Sequence, residues 1–165
     1  MQVKKKSQKQ EKSVAKDLNA KTVVASGALW SAKGDCRSEK CLIECKTTDK
    51  TYYSVTAKVW EKIEEEATRD GMRIPLLVVD VAGSNRFVVF KLSHFPEEKF
   101  PNPFDVTGKG DNKKSFRLKL NELKESAEDF GQYMYGKIFL IVGKKRNLLC
   151  YMGINDFIEA FKEEI

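Results

Sequence analysis

The feature that most limits the fold is a pair of apolar segments, IPLLVVDV and RFVVFKL, joined by the short stretch AGSN (residues 74–92). Segments of this length that are rich in Val, Ile, Leu and Phe, with Gly and Asn between them, are typical of two strands joined by a tight turn. Other strand-like segments precede this pair. One helical pattern lies before those segments, and another lies between them and the pair. The order helix, three strands, helix, strands predicts a mixed α/β layer fold.

Two segments have the residue spacing of helices. The first runs from Ser7 to Leu18 with an apolar stripe at three- and four-residue intervals, and Glu11 falls on that stripe. An acid there is either a surface residue near the helix start or a carboxylate directed inward for a purpose. The second helix is predicted to begin with Ser54 as its N-cap and to stop at Gly71.

The most unusual polar pattern is GDCRSEKCLIECK (34–46). Strand side chains alternate between faces, so Glu44 and Lys46 share one face while Cys41, Ile43 and Cys45 share the other. A hairpin turn near residues 39–40 sets Asp35 opposite Glu44. Two acids opposed on a sheet destabilise it unless a cation lies between them, which is a first indication of a metal site.

Two converging carboxylates form a hard oxygen site of the kind that Mg²⁺ prefers, and Mg²⁺ keeps waters and binds substrate phosphates. A lysine beside such an ion can orient or deprotonate water, or neutralise a pentacovalent phosphate. Together these groups indicate phosphodiester hydrolysis. Each residue also has an ordinary interpretation: Asp35 as a turn residue, Glu44 and Lys46 as an ion pair, and Glu11 as an acid that complements the helix dipole.

The order of these features is more specific than any single one. Glu11 on a helix, SGA (26–28), GD (34–35), ECK (44–46) and a following helix resemble the PD-(D/E)xK nuclease superfamily, and within it the archaeal and bacteriophage Holliday junction resolvases. The resemblance covers about residues 8–95. It implies a restriction-endonuclease-like core, which is a mixed central β-sheet flanked by helices. The chain departs from the pattern in one place, because glycine rather than proline precedes the aspartate.

The resemblance also implies roles for individual residues. The implied ligands of Mg²⁺, or of Mn²⁺ as its substitute, are Asp35, Glu44, the backbone carbonyl of Cys45 and, directly or through water, Glu11. Lys46 would be the catalytic lysine that assists the attacking water, with Glu11 contributing from its helix. Ser26 resembles a loop serine that lies near the scissile phosphate in family members, and Ser31 competes for that role.

Basic residues outnumber acidic ones, 30 to 24, and several crowd the N-terminus. A basic excess favours a polyanionic partner such as nucleic acid, although a solvated surface gives the same composition. The cations near the predicted site and in the N-terminal arm would hold phosphates and make binding salt-dependent. The residues considered for this role are Lys4, Lys5, Lys6, Lys9, Lys33, Arg37, Lys50 and Lys58, the last of which also suits a solvated position.

Three of the four prolines fall in residues 96–114, which predicts a linker or long loop between a core (1–95) and a C-terminal segment (115–165). In that segment, KIFLIVGKKRNLLCYMGINDF repeats the pattern of residues 75–95, and SFRLKLNELKESAE repeats that of SVTAKVWEKIEEEA. The segment is therefore predicted to be a degenerate copy of the helix–hairpin half. It has no counterpart of GD…ECK, so we expect it to have an accessory role.

Three functions are compatible with these features. The first is a Mg²⁺-dependent endonuclease that resolves four-way DNA junctions in recombination and repair, acting as a homodimer that recognises shape rather than sequence. The second is the same chemistry on flaps, ends or plain duplex, as in a repair or restriction enzyme. The third is a non-catalytic DNA-binding protein on a nuclease scaffold, against which the retained carboxylates argue.

The sequence also suggests where the protein works. No apolar run approaches the roughly 20 residues that span a bilayer, and no apolar signal segment follows the charged start. We therefore expect no membrane association and a cytoplasmic location in a prokaryotic or bacteriophage-infected cell. The four cysteines are expected to be buried and reduced, since their spacing is a weak match to a zinc site.

Overall fold

The computed structural model describes residues 2–23, 34–83, 85–96, 99, 105–106, 114–120 and 136–165. The helices are α1 (Gln2–Asp17), α2 (Ala57–Arg69) and α3 (Ile154–Phe161), with a 3₁₀ turn at Leu92–His94. The strands are β1 (Lys21–Thr22), β2 (Cys36–Arg37), β3 (Cys41–Thr48), β4 (Tyr52–Thr56), β5 (Ile74–Val81), β6 (Asn85–Lys91), β7 (Asp105–Val106), β8 (Ser115–Lys119), β9 (Gly136–Val142) and β10 (Arg146–Gly153).

Eight of these strands form one mixed sheet in the order β1-β2-β3-β5-β6-β10-β9-β7. The pairs β3–β5 and β7–β9 are parallel, and the other pairs in the sheet are antiparallel. Strands β4 and β8 form a separate antiparallel pair, which we call the β4–β8 ribbon. The sheet is flanked by helices, so the predicted mixed α/β fold is confirmed. None of the helices in the described ranges is long and apolar enough to cross a membrane.

The two faces of the sheet have separate cores. On one face, Val14 and Leu18 of α1 and Phe157 and Phe161 of α3 pack against the sheet. On the other, α2 and the ribbon cover it, with Trp60 fully buried. Burying a large apolar side chain contributes about 1.5–3 kcal/mol, so the apolar stripe predicted for the first helix holds α1 on the sheet.

Both helix starts differ from the prediction. α1 begins at Gln2, one turn or more before Ser7. α2 begins at Ala57 with Thr56 as its N-cap, whose hydroxyl accepts a hydrogen bond from the Val59 amide at 3.2 Å. Assigning the cap to Ser54 was wrong because Ser54 lies in β4, where pairing with β8 keeps the backbone extended. The predicted stop at Gly71 agrees with its φ of +84°, which favours glycine.

The C-terminal segment joins the same sheet as the rest of the chain. The β9–β10 hairpin pairs through β10 with β6, so it extends the sheet beyond the β5–β6 hairpin. Its predicted Ser-led helix begins instead with the strand β8. Within the predicted linker, the backbone of Asp105–Val106 pairs with β9. Most of the linker and residues 121–135 lie outside the described residues.

Candidate metal centre

The β2–β3 hairpin places the two predicted acids on adjacent strands. Cys36 pairs with Ile43, and the Asp35 amide donates to the Ile43 carbonyl at 2.9 Å. Continued by one residue, this register sets Asp35 opposite Glu44, as the sequence predicts. The turn is closed at its other end by the Ser38 hydroxyl, which accepts a hydrogen bond from the Cys41 amide at 2.9 Å.

Gly34 explains why the chain lacks the usual proline before the aspartate. Its φ is +70°, which proline, fixed near −65°, cannot adopt. A Cβ atom at this position would lie 2.8 Å from Leu42 Cδ1 and 3.2 Å from the Ile43 carbonyl oxygen. Glycine is therefore required by both the backbone conformation and the close approach of β3.

The Asp35 carboxylate is held in place by the backbone of β3. Its Oδ2 accepts a hydrogen bond from the Cys45 amide at 2.8 Å. Strand amides point toward the neighbouring strand in the plane of the sheet, so this bond places the carboxylate beside β3, at the start of β2 and between the two faces. Oδ1 of Asp35 accepts no hydrogen bond from the residues described, which leaves one oxygen to face a ligand.

Glu44 and Lys46 share the face of β3 on which α2 packs. The Lys46 Nζ donates to Glu44 Oε1 at 2.6 Å. The Glu44 side chain is 13% exposed and that of Lys46 is 38% exposed, so the carboxylate is largely buried and the amine reaches solvent. Each side chain lies beside an apolar residue of β5, since Glu44 pairs with Leu77 and Lys46 with Val79.

The electrostatics show that the acids interact. Burial, the charge of Glu44 and, more weakly, that of Glu11 raise the pKa of Asp35 to about 6, while the Cys45 hydrogen bond and Lys46 oppose the shift. Burial by itself lowers the pKa of Lys46, but the hydrogen bond and charge of Glu44 and the charge of Asp35 outweigh it, so this pKa is raised. The cluster therefore carries more negative charge than one lysine balances.

Glu11 approaches Asp35 from the other side of the sheet. The Cys36 thiol donates to the Glu11 backbone carbonyl at 3.2 Å, so α1 covers the face opposite Glu44. The Glu11 carboxylate accepts a hydrogen bond from the Ser7 hydroxyl at 3.0 Å. The charges of two acids therefore act on Asp35, that of Glu44 and, more weakly, that of Glu11, whose helix covers the opposite face.

Two residues near this cluster were not identified from the sequence: Gln10, which contacts it, and Tyr53, which interacts with its charges. The Gln10 side chain, 5% exposed, donates from Nε2 to the Lys46 carbonyl at 2.7 Å and so ties α1 to the end of ECK. Gln10 lies four residues before Val14, on the side of α1 that faces the sheet, and this spacing could have identified it in the sequence. Burial, opposed by the charge of Lys46 and reinforced by that of Glu44, raises the pKa of Tyr53, which places its ring near both. Nothing local in the sequence indicates Tyr53.

The predicted DNA-binding cations have varied surroundings. Arg37 pairs with Asp70 at 2.7 Å and Lys6 pairs with Asp49, so two of them are already matched with acids. The side chains of Lys5, Lys9, Lys50 and Lys58 are exposed. The backbone of Lys4 lies in α1. Ser26, Ser31 and Lys33 lie outside the described residues.

The cysteines are free and buried, as expected of reduced thiols. Among the residues described, no group of three or more Asp, Glu, His or Cys side chains is arranged to hold a metal ion. Lys46 Nζ is bonded to one oxygen of the Glu44 carboxylate, Oε1, so an ion that used Glu44 would share the carboxylate with the amine. The second Asp35 oxygen and the raised pKa of that residue fit a cation, because a positive charge there would relieve the repulsion between the acids.

Comparisons of the chain with protein-family models and with curated proteins gave no match. The function therefore has to be inferred from the geometry of this site. Carboxylates opposed across two strands, with an amine on one of them, can hold a hard divalent cation beside a mobile positive charge. That combination is suited to a substrate that carries phosphate groups.

Proposed function

We propose that the chain is a Mg²⁺-dependent endodeoxyribonuclease of the PD-(D/E)xK type with a restriction-endonuclease-like core, and that it hydrolyses phosphodiesters at four-way DNA junctions. The observation that supports this most is the register that sets Asp35 opposite Glu44, with Lys46 bonded to Glu44 at 2.6 Å. A surface role for the same residues would not require two partly buried acids at opposed positions on adjacent strands.

Asp35 and Glu44 would hold the ion, together with the backbone carbonyl of Cys45, and Glu11 would contribute directly or through water. All of these donors are oxygens, which suits Mg²⁺ and its substitute Mn²⁺. When bound, the ion would lower the pKa of a coordinated water and neutralise charge on the phosphate. The raised pKa of Asp35 supports this assignment, since a cation restores the charged form that burial disfavours.

Lys46 would act on the phosphate once Glu44 is engaged. Its raised pKa keeps the amine protonated at neutral pH, so its first role is to place positive charge beside the reacting group. During hydrolysis a water oxygen bonds to phosphorus and releases a proton to solvent, while the bond from phosphorus to the leaving oxygen breaks and that oxygen takes up a proton from solvent. Negative charge grows on the non-bridging oxygens in the transition state. An ammonium group at Nζ stabilises that charge and orients the attacking water.

Junction resolution requires two symmetric cuts, and a homodimer with one site in each subunit meets that need. The basic excess of the chain supports a DNA partner. Contacts between basic side chains and the phosphate backbone of DNA recognise shape rather than base sequence. The C-terminal segment, which extends the sheet and has no counterpart of GD…ECK in its sequence, would support binding or dimerisation. The enzyme would act in the cytoplasm of a prokaryotic or bacteriophage-infected cell.

The test is cleavage of a labelled four-way junction against a matched duplex and a flap. Each substrate is incubated with Mg²⁺, with chelator, and with the Glu44→Gln variant. Paired, junction-selective, metal-dependent nicks that Glu44→Gln lacks support the proposal. Metal-dependent cutting of all three substrates reassigns the chain to a repair or restriction type of nuclease. Tight binding without cutting under either Mg²⁺ or Mn²⁺ overturns catalysis and leaves a DNA-binding protein.

A further inference from the structure

The β4–β8 ribbon has two different faces. Its inner side chains pack on the sheet, with Val55 and Leu118 fully buried. Side chains alternate along each strand, so Tyr52 and its neighbours at alternate positions form the outer face. The outer residues of the two strands are Tyr52, Ser54, Arg117 and Lys119.

Two cations are gathered on one aromatic ring of the outer face. The Arg117 guanidinium carbon lies 4.5 Å from the centroid of the Tyr52 ring, and the Lys50 Nζ lies 5.5 Å from it. Both are cation–π distances, which orient a charge without neutralising it. Both side chains are exposed, and neither forms an ion pair with a carboxylate among the described residues.

This arrangement differs from that of other cations in the structure. Arg37, Arg86 and Lys91 each pair with an acid at 2.7–2.8 Å. By contrast, the stretches KTYYSVT (50–56) and KSFRLKL (114–120), which form the ribbon and its ends, contain four basic residues and no acid. The outer face is therefore rich in positive charge, and the Tyr52 ring at its centre orients two of these charges.

The ribbon is joined directly to the candidate metal centre. Its inner residue Tyr53 interacts with the charges of Lys46 and Glu44. At its start, the Lys50 carbonyl accepts a hydrogen bond from the Ala82 amide at 3.0 Å, just after the end of β5, where Val81 pairs with Thr48 of β3. The ribbon is thus anchored at the end of β3, the strand that carries the predicted catalytic lysine.

We propose that Lys50, Tyr52 and Arg117, which we call the ribbon patch, bind the sugar–phosphate backbone of a DNA strand that continues from the active site. The inference rests on the proposed function for the identity of the polyanion. Arginine binds phosphate through a planar fork of N–H donors, and the Tyr52 ring holds that fork outward before DNA arrives. Contacts of this kind add affinity without reading base sequence.

The test measures binding in the presence of chelator, so that no cleavage is required. The affinity for a fluorescein-labelled four-way junction is followed by anisotropy over a series of KCl concentrations, for the parent and for Lys50→Gln/Arg117→Gln. Each lost phosphate contact removes about 0.9 from the slope of log K against log salt, so the double variant should lose about 2. Its affinity should fall by roughly tenfold or more at 0.15 M salt.

The control variant Lys16→Gln/Lys162→Gln removes the same charge from exposed positions on the opposite, α1 and α3 side of the sheet. It should change the slope much less. Tyr52→Phe keeps the ring and should bind like the parent, whereas Tyr52→Thr should bind severalfold more weakly. Thermal unfolding of each variant checks that it is folded.

Equal slopes for the ribbon variant and its control overturn the inference, even if the parent cleaves junctions with Mg²⁺ and the proposed function stands. A reduced slope for the ribbon variant supports the inference even if no cleavage is found, in which case only the enzymatic proposal fails. A parent chain that does not bind DNA at all overturns both.

Discussion

The Lys46 Nζ lies 2.6 Å from Glu44 Oε1, so two side chains separated by one residue in the sequence form an ion pair on one face of β3. The pair partly balances a site in which burial and two neighbouring acids raise the pKa of Asp35. A divalent cation at Glu44 would bind the carboxylate that the amine already contacts. The amine and the ion would therefore compete for the charge of Glu44, and on the proposed function the amine would lie beside a phosphate bound to that ion.

Competition at Glu44 leads to opposite effects on binding and catalysis. Lys46→Gln should bind Mn²⁺ more tightly, by roughly tenfold, because a positive charge 2.6 Å from the carboxylate has been removed. The same variant should cleave DNA at least about 100-fold more slowly, since the amine no longer stabilises the phosphate. Metal titration and single-turnover cleavage measure the two effects, with the exposed Lys62→Gln as control. Weaker metal binding by Lys46→Gln would contradict the competition.

The charge of Asp35 makes stability depend on pH. Its pKa of about 6 in the folded chain is above the ordinary 3.8, so the folded state holds this proton more tightly than the unfolded state does. Ionisation therefore costs stability above pH 6, and the cost disappears below about pH 4. Asp35→Asn should raise the free energy of unfolding by about 1–2 kcal/mol above pH 6, allowing for partial screening by solvent.

Urea unfolding of the parent and Asp35→Asn between about pH 4 and pH 8 measures this difference, with the exposed Asp49→Asn as control. Saturating Mg²⁺ at about pH 7.5 should stabilise the parent and not Asp35→Asn, because the ion binds only the folded, ionised site. A difference in stability that is the same at both ends of this pH range would show that ionisation of Asp35 has no energetic cost in the folded chain.

Gly34 should be intolerant of a side chain. Gly34→Ala places a Cβ 2.8 Å from Leu42 Cδ1 at a φ of +70° and should lower the free energy of unfolding by about 2–3 kcal/mol. It should also reduce cleavage, since the next residue is Asp35. Gly83→Ala is the control, because Gly83 has a φ of +79° but a Cβ there would meet no atom within 4 Å. Equal losses in the two variants would rule out a packing role for Gly34.

Arg86 anchors α1, and with it Glu11, to the sheet. It forms two hydrogen bonds with the buried Asp80, at 2.7 and 2.9 Å, and reaches Ser13 and Asp17 of α1. Arg86→Met should cost about 3 kcal/mol, because it leaves the Asp80 carboxylate buried and unpaired. Asp17→Asn, which alters only the more exposed partner, should cost less than about 1 kcal/mol. Equal losses of stability in the two variants, measured by urea unfolding, would contradict the larger role given to the Arg86–Asp80 pair.

Local patterns in the sequence predicted much of the site and less of its surroundings. Alternation along β3 and a short turn fix which side chains of the hairpin oppose one another, so Asp35 and Glu44 follow from local rules. The ribbon does not follow from local rules, because β4 pairs with β8, which is distant in the sequence. The pair is stabilised by packing contacts that no local pattern encodes. For the same reason Ser54 has the local pattern of a helix cap in the sequence and is a strand residue in the fold.

Titration of Mn²⁺ at about pH 7.5, followed by electron paramagnetic resonance with and without junction DNA, tests most directly whether the acids share an ion. The parent should show a saturable site from which Mg²⁺ displaces Mn²⁺, and Glu44→Gln should bind at least about tenfold more weakly, since one of the oxygen ligands loses its charge. Equal affinity in the two chains, or no saturable binding by the parent with DNA present, would contradict a metal site between Asp35 and Glu44.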